Sequence, residues 1–365
     1  MELPAHLTAP PLRLTSRLPG IGGVFKQHLE DFVVEEIPAY LPSGEGEHLY
    51  LWIEKRDMGA EYFQRQIAQR LGIPVGEIGT AGMKDRRAVT RQWVSVPARC
   101  EPQLAQLGSE DLKVLQVSKH NNKLRPGHLR GNRFEITLRD VQDPSSLTGI
   151  LDIVQSQGLP NYYGSQRFGR ELETLQLGWR MLHGDRVRVN PFVKKLALSA
   201  IQSALFNHYL AQRLQDGLFR RVLPGDVMAK WPVGGLFVTQ DAATEQQRMD
   251  ARELVPTGPM FGSRMKAAES EAAARELKVL EEAGLSLEHF NAGGRLLEGT
   301  RRHNIIYVEE LQVSVTEKSH GQETGHSEAG TGQIVILKFQ LPAGCYATVL
   351  LDEVMKTAAP VADGD

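Results

Sequence analysis

The chain has 365 residues, 41% hydrophobic and 24% charged, a composition that excludes the disordered and fibrous classes and supplies enough apolar mass for a packed core. Single cores stop growing at about 250 to 300 residues, so two domains are expected. The formal net charge of -2 excludes a globally basic nucleic-acid binder, and any RNA site must be a local patch.

The first stretch, residues 1–23, is rich in Pro and Gly and is expected to form an extended arm leading into the fold. It lacks the basic-then-apolar layout of a secretory signal, and no apolar run approaches the roughly 18 residues of a membrane helix, so a cytoplasmic address without membrane contact is expected. The two cysteines, Cys100 and Cys345, form no CxxC pair, which argues against a disulfide framework or a zinc ribbon.

From residue 30 to about 138 the chain reads as short apolar strands, at 32–37, 49–53, 92–96 and 134–138. Between the second and third, Phe63, Ile67 and Leu71 recur every fourth residue and Gly72 supplies a helix stop. The middle of the chain turns helical. Leu198, Ile201, Leu205 and Tyr209 share one face of a helix over 194–214, and an Ala- and Glu-rich helix over 266–283 stops at Gly284. Strand patterning returns at 305–315 and 334–341, followed by a helix over 347–355. The segment 317–333 has almost no apolar residues and is expected to be a flexible surface loop; its His320 and His326 lack partners at a recognisable metal-binding spacing.

Three segments carry candidate chemistry. In GTAGMKDRRAVTRQW, residues 79–93, Asp85 stands among Lys84, Arg86, Arg87 and Arg91. Nearby cations favour the charged form of a carboxylate, which suits a nucleophile or base, although a solvated turn with a simple ion pair gives the same local pattern. In residues 113–134 there is no acid after Lys113, while Lys119, Lys123, Arg125, Arg130 and Arg133 sit with His120 and His128 in a Gly- and Pro-containing stretch. Such a patch can bind phosphates by releasing counterions; the plainer reading is a solvated basic loop. In NYYGSQRFGR, residues 161–170, Tyr162, Tyr163, Arg167 and Phe168 could stack on bases or pack a domain junction. No GxxxxGK[ST], HExxH or GxSxG motif occurs.

Taken in order, EDFVVEEI (30–37), GEGEHLYLWIEK (44–55), AGMKDRRAVTRQW (81–93), GNRFEITL (131–138), NYYGSQRFG (161–169) and LPAGCYATVLLDEVM (341–355) resemble the TruD family of tRNA pseudouridine synthases, over about residues 20–356. The resemblance implies an α+β fold: a catalytic domain around a mixed, largely antiparallel sheet, discontinuous over 1–157 and 304–365, and interrupted by a mainly helical α/β insertion domain at 158–303. It implies conversion of uridine to pseudouridine at position 13 of tRNA, with Asp85 as the catalytic carboxylate. Phe32, Asn132 and Tyr346 match substrate-contacting positions, Tyr346 standing where relatives can carry Phe, and Phe134, next to Asn132, is the expected stacking partner. Lys26, or failing that Lys84, is the expected basic partner of Asp85. Arg167 and the basic residues of 119–133 are expected RNA contacts. Isomerisation needs no redox cofactor, nucleotide or metal. The expected partner is tRNA, with no protein partner, and the chain is expected to be a monomer.

Three other readings fit part of the pattern. A non-catalytic RNA binder would use the basic loop and aromatics but has no need of Asp85 among its cations. A metal-dependent nuclease holds Mg²⁺ with clustered acids, and a glycosidase uses two carboxylates at about 5 to 10 Å; Asp85 has no such companion in sequence.

Overall fold

A computed structural model describes residues 2–291, 294–316 and 332–357 of the chain. The first elements alternate strand and helix. In β1 (Phe32–Pro38), Phe32, Val34 and Glu36 face inward, and in β2 (His48–Arg56) Leu49, Leu51, Ile53 and Lys55 do the same. Helix α1 (Ala60–Leu71) buries Phe63, Ile67 and Leu71, the spacing the sequence predicts, and ends at Gly72, whose φ of 64° suits a residue without Cβ. The run continues with β3 (Gly79–Thr80), β4 (Val89–Pro97), β5 (Leu112–His120) and β6 (Leu129–Val141), then α2 (Leu147–Gln157) and β7 (Leu159–Pro160).

The middle begins with α3 (Glu173–Leu182) and α4 (Pro191–Gln215). Asn190 caps α4 by accepting a 2.8 Å hydrogen bond from the Val193 backbone, and Pro191 occupies the first helical position, where its missing N–H costs nothing. Leu198, Ile201, Leu205 and Tyr209 are buried on α4 as expected. Beyond them come β8 (Val227–Lys230), β9 (Leu236–Val238), α5 (Ala242–Asp250), β10 (Leu254–Met260), α6 (Ser270–Glu282), α7 (Leu287–Asn291) and β11 (Thr300–His303). The last elements are β12 (Ile305–Ile306), β13 (Glu309–Thr316), β14 (Gln333–Pro342) and α8 (Ala347–Met355).

Eight strands form one mixed sheet in the order β13-β14-β6-β1-β4-β2-β5, with β3 added beside β4. Among the described residues only β1 and β4 run parallel in this sheet; the other pairings are antiparallel. On one face Phe32, Val34, Phe134, Ile136, Leu337 and Phe339 pack against Ile150, Leu151 and Val154 of α2 and Leu350 and Val354 of α8. The β2 end of the sheet packs Leu49, Leu51 and Ile53 on α1. Each such side chain contributes about 1.5 to 3 kcal/mol by leaving water.

Several expectations need correction. The helical middle also holds a four-stranded sheet, β11-β10-β8-β9. One of its two inner strands, Leu254–Met260, is buried throughout yet contains Pro256 and Pro259, which read as strand breakers. The helix predicted over 266–283 starts at Ser270, because Glu269 donates its backbone N–H to Gly225 O at 3.0 Å and holds the preceding residues extended. The strand predicted over 305–315 is divided: β12 pairs with β7, whereas β13 pairs with β14 in the large sheet, with a register shift between Glu309 and Gln312. Of the loop expected at 317–333, residues 317–331, with His320 and His326, lie outside the described residues, and Gln333 already belongs to β14.

Candidate active site and nucleic-acid interface

Asp85 lies on an irregular connection between β3 and β4, half-buried, between a buried Lys84 and two exposed arginines. Two lysines hold this connection. Lys55, at the inward position of β2, is 1% exposed and donates to Met58 O and, at 3.2 Å, to Asp85 O. Lys84 places Nζ 3.2 Å from Glu36 Oε2, with side chains 3% and 0% exposed. The geometry is that of an ion pair without hydrogen-bond alignment at Oε2, while Glu36 Oε1 accepts from the Trp93 backbone at 3.4 Å. Burial pushes the Glu36 carboxyl above its ordinary range and Lys84 pulls it back.

Three of the cations that the sequence gathers around Asp85 have carboxylate partners on other segments. Lys84 serves Glu36 rather than Asp85. Arg86 reaches Asp57 at 3.7 Å, and Arg91 pairs with Glu54 at 2.9 Å and Glu35 at 3.4 Å. Lys26, the preferred partner in the sequence reading, sits with Nζ 4.2 Å from the centroid of Phe32, a cation–π contact.

The sheet brings the expected substrate residues to neighbouring positions. Asn132 on β6 lies opposite Glu36 on β1 and Leu341 on β14, so Asn132 and Glu36, the partner of Lys84, occupy adjoining strands. Gly131 permits this close approach, since a Cβ there would collide with Leu341 O. Asn132 Oδ1 is buried without a hydrogen-bond partner among the described residues, a cost that an incoming donor would relieve. Phe134, one inward position along β6, stacks on Phe339 at 5.2 Å and meets Phe32 edge-on at 6.3 Å. Both Phe32 and Phe134 are core residues, 2% and 6% exposed, so they form the floor beneath the site rather than an open wall.

Tyr346 stands at the N-terminal end of α8, a short turn beyond Leu341. Its ring meets Tyr163 at 5.9 Å, and Arg302 lies over Tyr163 with Cζ 3.9 Å from the ring centroid. Arg302 also donates to Asn161 O and Oδ1 at 2.9 and 2.7 Å and to Gly344 O at 3.0 Å, tying NYYG to the turn before α8. Burial raises the Tyr346 hydroxyl above its usual range, opposed by Arg167 and Arg302. Arg167 places Cζ 5.5 Å from the Tyr163 centroid and donates to Ser203 Oγ at 3.2 Å.

The basic residues of the second motif separate into two groups. Arg130 and Arg133 are drawn to glutamates, Arg130 to Glu309 at 3.8 Å and Arg133 to Glu35 at 2.9 Å and Glu310 at 3.6 Å. Lys119 pairs with Glu101 at 3.2 Å. Lys123 and Arg125 instead line a cavity, described below. Glu36, Lys55 and Arg302 were not singled out in sequence. For the first two a signal existed: each is a charged residue at the inward position of an alternating apolar strand.

A family model described as tRNA pseudouridine synthase D (TruD) matches residues 12–188 and 186–354. A protein of Anaeromyxobacter sp. (strain Fw109-5) named tRNA pseudouridine synthase D is 42% identical, covering 98% of this chain and 99% of its own. One of the same name from Thermus thermophilus is 40% identical, over 95% of this chain and 92% of its own. A Methanosarcina mazei crystal structure bearing the TruD name superposes with a TM-score of 0.75 at 24% identity, covering 98% of this chain and 99% of that one, a likeness of fold.

Proposed function

The chain belongs to the TruD family of tRNA pseudouridine synthases, and from that premise we propose that it isomerises uridine 13 of tRNA with Asp85 as its catalytic carboxylate. The observation that carries this reading is the bracing of the Asp85 connection. The buried Lys84–Glu36 pair on one side and Lys55 on the other hold it against the strand that faces Asn132. A fixed backbone is what a reaction needs when one carboxylate must meet one sugar carbon.

A uridine inside folded tRNA has to leave its stack, at a cost of a few kcal/mol, before a protein group can reach C1′. In this reading Asn132 and Tyr346 hold the everted base, Phe32 and Phe134 shape the floor, and Lys26, over the Phe32 ring, keeps positive charge near the sugar and phosphate. Arg167 and the basic residues at 119–133 hold the RNA backbone. The N1–C1′ bond breaks, the freed uracil turns, and C5 bonds to C1′; N1 gains a proton and C5 loses one, so the sum is an isomerisation. The Asp85 carboxylate either attacks C1′, giving a covalent intermediate, or removes the C2′ proton, giving a glycal. Deuterium at C2′ separates the two, because only the second route breaks that bond.

The reading divides the chain into a catalytic domain at 1–157 and 304–365 and an insertion at 158–303. The large sheet draws its strands from either side of the insertion, and the four-stranded sheet lies within it, which supports that division. The working unit is a single chain acting on cytoplasmic tRNA; no helix among the described residues is long and apolar enough to cross a membrane. The test is incubation of purified protein with an unmodified tRNA transcript, without metal or nucleotide, followed by carbodiimide mapping. A new adduct at position 13 supports the reading, and an unmodified transcript overturns it.

A further inference from the structure

Beyond the Asp85 connection, the loop between β5 and β6 borders an open cavity of about 470 Å³ lined by Tyr40, His120, Asn122, Lys123, Arg125 and His128. That volume is in the range of small-ligand sites, about 300 to 1,000 Å³. Its lining holds two cations, an amide and three rings, and no carboxylate.

The rings are organised. Tyr40 stacks on His120 at 5.2 Å and meets His128 edge-on at 5.3 Å. The Ser43 backbone N–H donates to His120 Nδ1 at 3.2 Å. The Tyr40 hydroxyl lies 2.5 Å from His128 Nδ1, and the Arg125 backbone N–H donates to the same atom at 3.4 Å. With Nδ1 accepting in both imidazoles, each ring keeps Nε2–H as its donor. Donors and cations without an opposing acid suit a phosphodiester, and aromatic rings beside them suit a base.

The same loop is fastened at one point to the start of the Asp85 connection, and at two others to β4 and to the residue after β1. Gly127 donates its backbone N–H to Ala81 O at 3.0 Å, Leu124 donates to Ser95 Oγ at 2.9 Å, and Ala39 donates to His128 O at 3.3 Å. Ala81 opens the segment that leads to Lys84 and Asp85. A ligand seated in the cavity therefore bears on the backbone that carries the catalytic carboxylate.

We propose that this cavity is a second tRNA subsite, which takes one phosphodiester-linked nucleotide away from the reacting uridine and sets the register of the substrate over Asp85. The proposal rests on the function argued above. Arg125 and His128 hold the phosphate, and the Tyr40 platform receives the adjoining base. Arg130 and Arg133, already paired with glutamates, contribute less to RNA affinity than their place in the motif suggests.

The test is binding of an unmodified tRNA transcript to the full chain across a KCl series, for Tyr40→Ala, Arg125→Ala and Arg65→Ala. Loss of one stacked base weakens binding about tenfold in Tyr40→Ala. Loss of one phosphate contact lowers the slope of log affinity against log salt by about one in Arg125→Ala. Arg65, exposed on α1, serves as the control and should bind as wild type. Thermal unfolding checks that each variant is folded; Arg125 is exposed, so its replacement tests the proposal even if Tyr40→Ala does not fold. Wild-type affinity and slope in Arg125→Ala, from an enzyme that makes pseudouridine, overturn the subsite alone. A wild-type protein that binds tRNA through these residues but forms no product overturns the catalytic reading and leaves the subsite standing.

Discussion

Lys84 Nζ and Glu36 Oε2 stand 3.2 Å apart with both side chains out of solvent, and this contact joins strand β1 to the residue that immediately precedes Asp85. Taking two charges out of water costs several kcal/mol per ion, so a pair of this kind is a weak source of net stability. Its effect is on position: neither partner can move off without leaving a buried charge behind. The direction in which Asp85 leaves the sheet is set by that constraint.

Lys84→Met should accordingly cost about 3 kcal/mol at neutral pH, the lower end of what removing one buried partner costs. Burial already raises the Glu36 carboxyl above its ordinary 4.5, and losing Lys84 removes the opposing pull. A raised folded-state value stabilises the protein below the unfolded one, and that contribution is lost as pH rises through the raised value. The deficit of Lys84→Met is therefore expected to grow from pH 4.5 upward. Urea unfolding at pH 4.5 and pH 7 measures it; an equal deficit at both would show that Glu36 does not depend on Lys84.

His303 gives a second pH signature, of opposite sign. Burial, with Arg302 adding to it, pulls the imidazole from 6.5 down to about 4. Because the folded value lies below the unfolded one, the stability is present above 6.5 and is lost as pH falls toward 4. At about 1.4 kcal/mol per unit, that window is worth on the order of 3 kcal/mol. His303→Gln should flatten the acid limb of stability measured by urea between pH 7 and pH 4.5; an unchanged limb would assign acid sensitivity to other groups.

Arg213 and Asp226 form the corresponding buried pair of the helical middle, each side chain 1% exposed. The guanidinium donates to both carboxylate oxygens, at 2.7 and 3.0 Å, and to Arg221 O at 2.6 Å. Asp226→Ala leaves that guanidinium unpaired and should cost about 3 to 5 kcal/mol. Asp216→Ala, which removes one of two surface partners of Arg275, should cost about 1 kcal/mol or less. Denaturant midpoints compare them directly, and similar losses would contradict the distinction drawn from burial.

Much of the large sheet was legible because its strands alternate cleanly and its helices carry apolar residues at helical spacing. Phe63, Ile67 and Leu71 on α1, and Leu198, Ile201, Leu205 and Tyr209 on α4, are buried where the period puts them. The four-stranded sheet was not legible, since β10 hides its strand character behind Pro256 and Pro259. At the candidate site the motif marked the Asp85 connection, but proximity in sequence does not give the partner of Lys84. Lys84 and Asp85 are neighbours along the chain, yet Lys84 is committed across the sheet to Glu36, a pairing that only the fold creates. Tyr40 was invisible for the same reason, because its partners His120 and His128 come from a distant strand and loop.

The most direct test of the account is single-turnover conversion of an unmodified tRNA transcript by Asp85→Asn, with tRNA affinity measured on the same preparation. The substitution keeps shape and removes the carboxylate while leaving the backbone carbonyl that Lys55 holds. Binding within about threefold of wild type, with product formation reduced by at least about four orders of magnitude, is the predicted result. Pseudouridine formed at a rate near that of the wild type would contradict it.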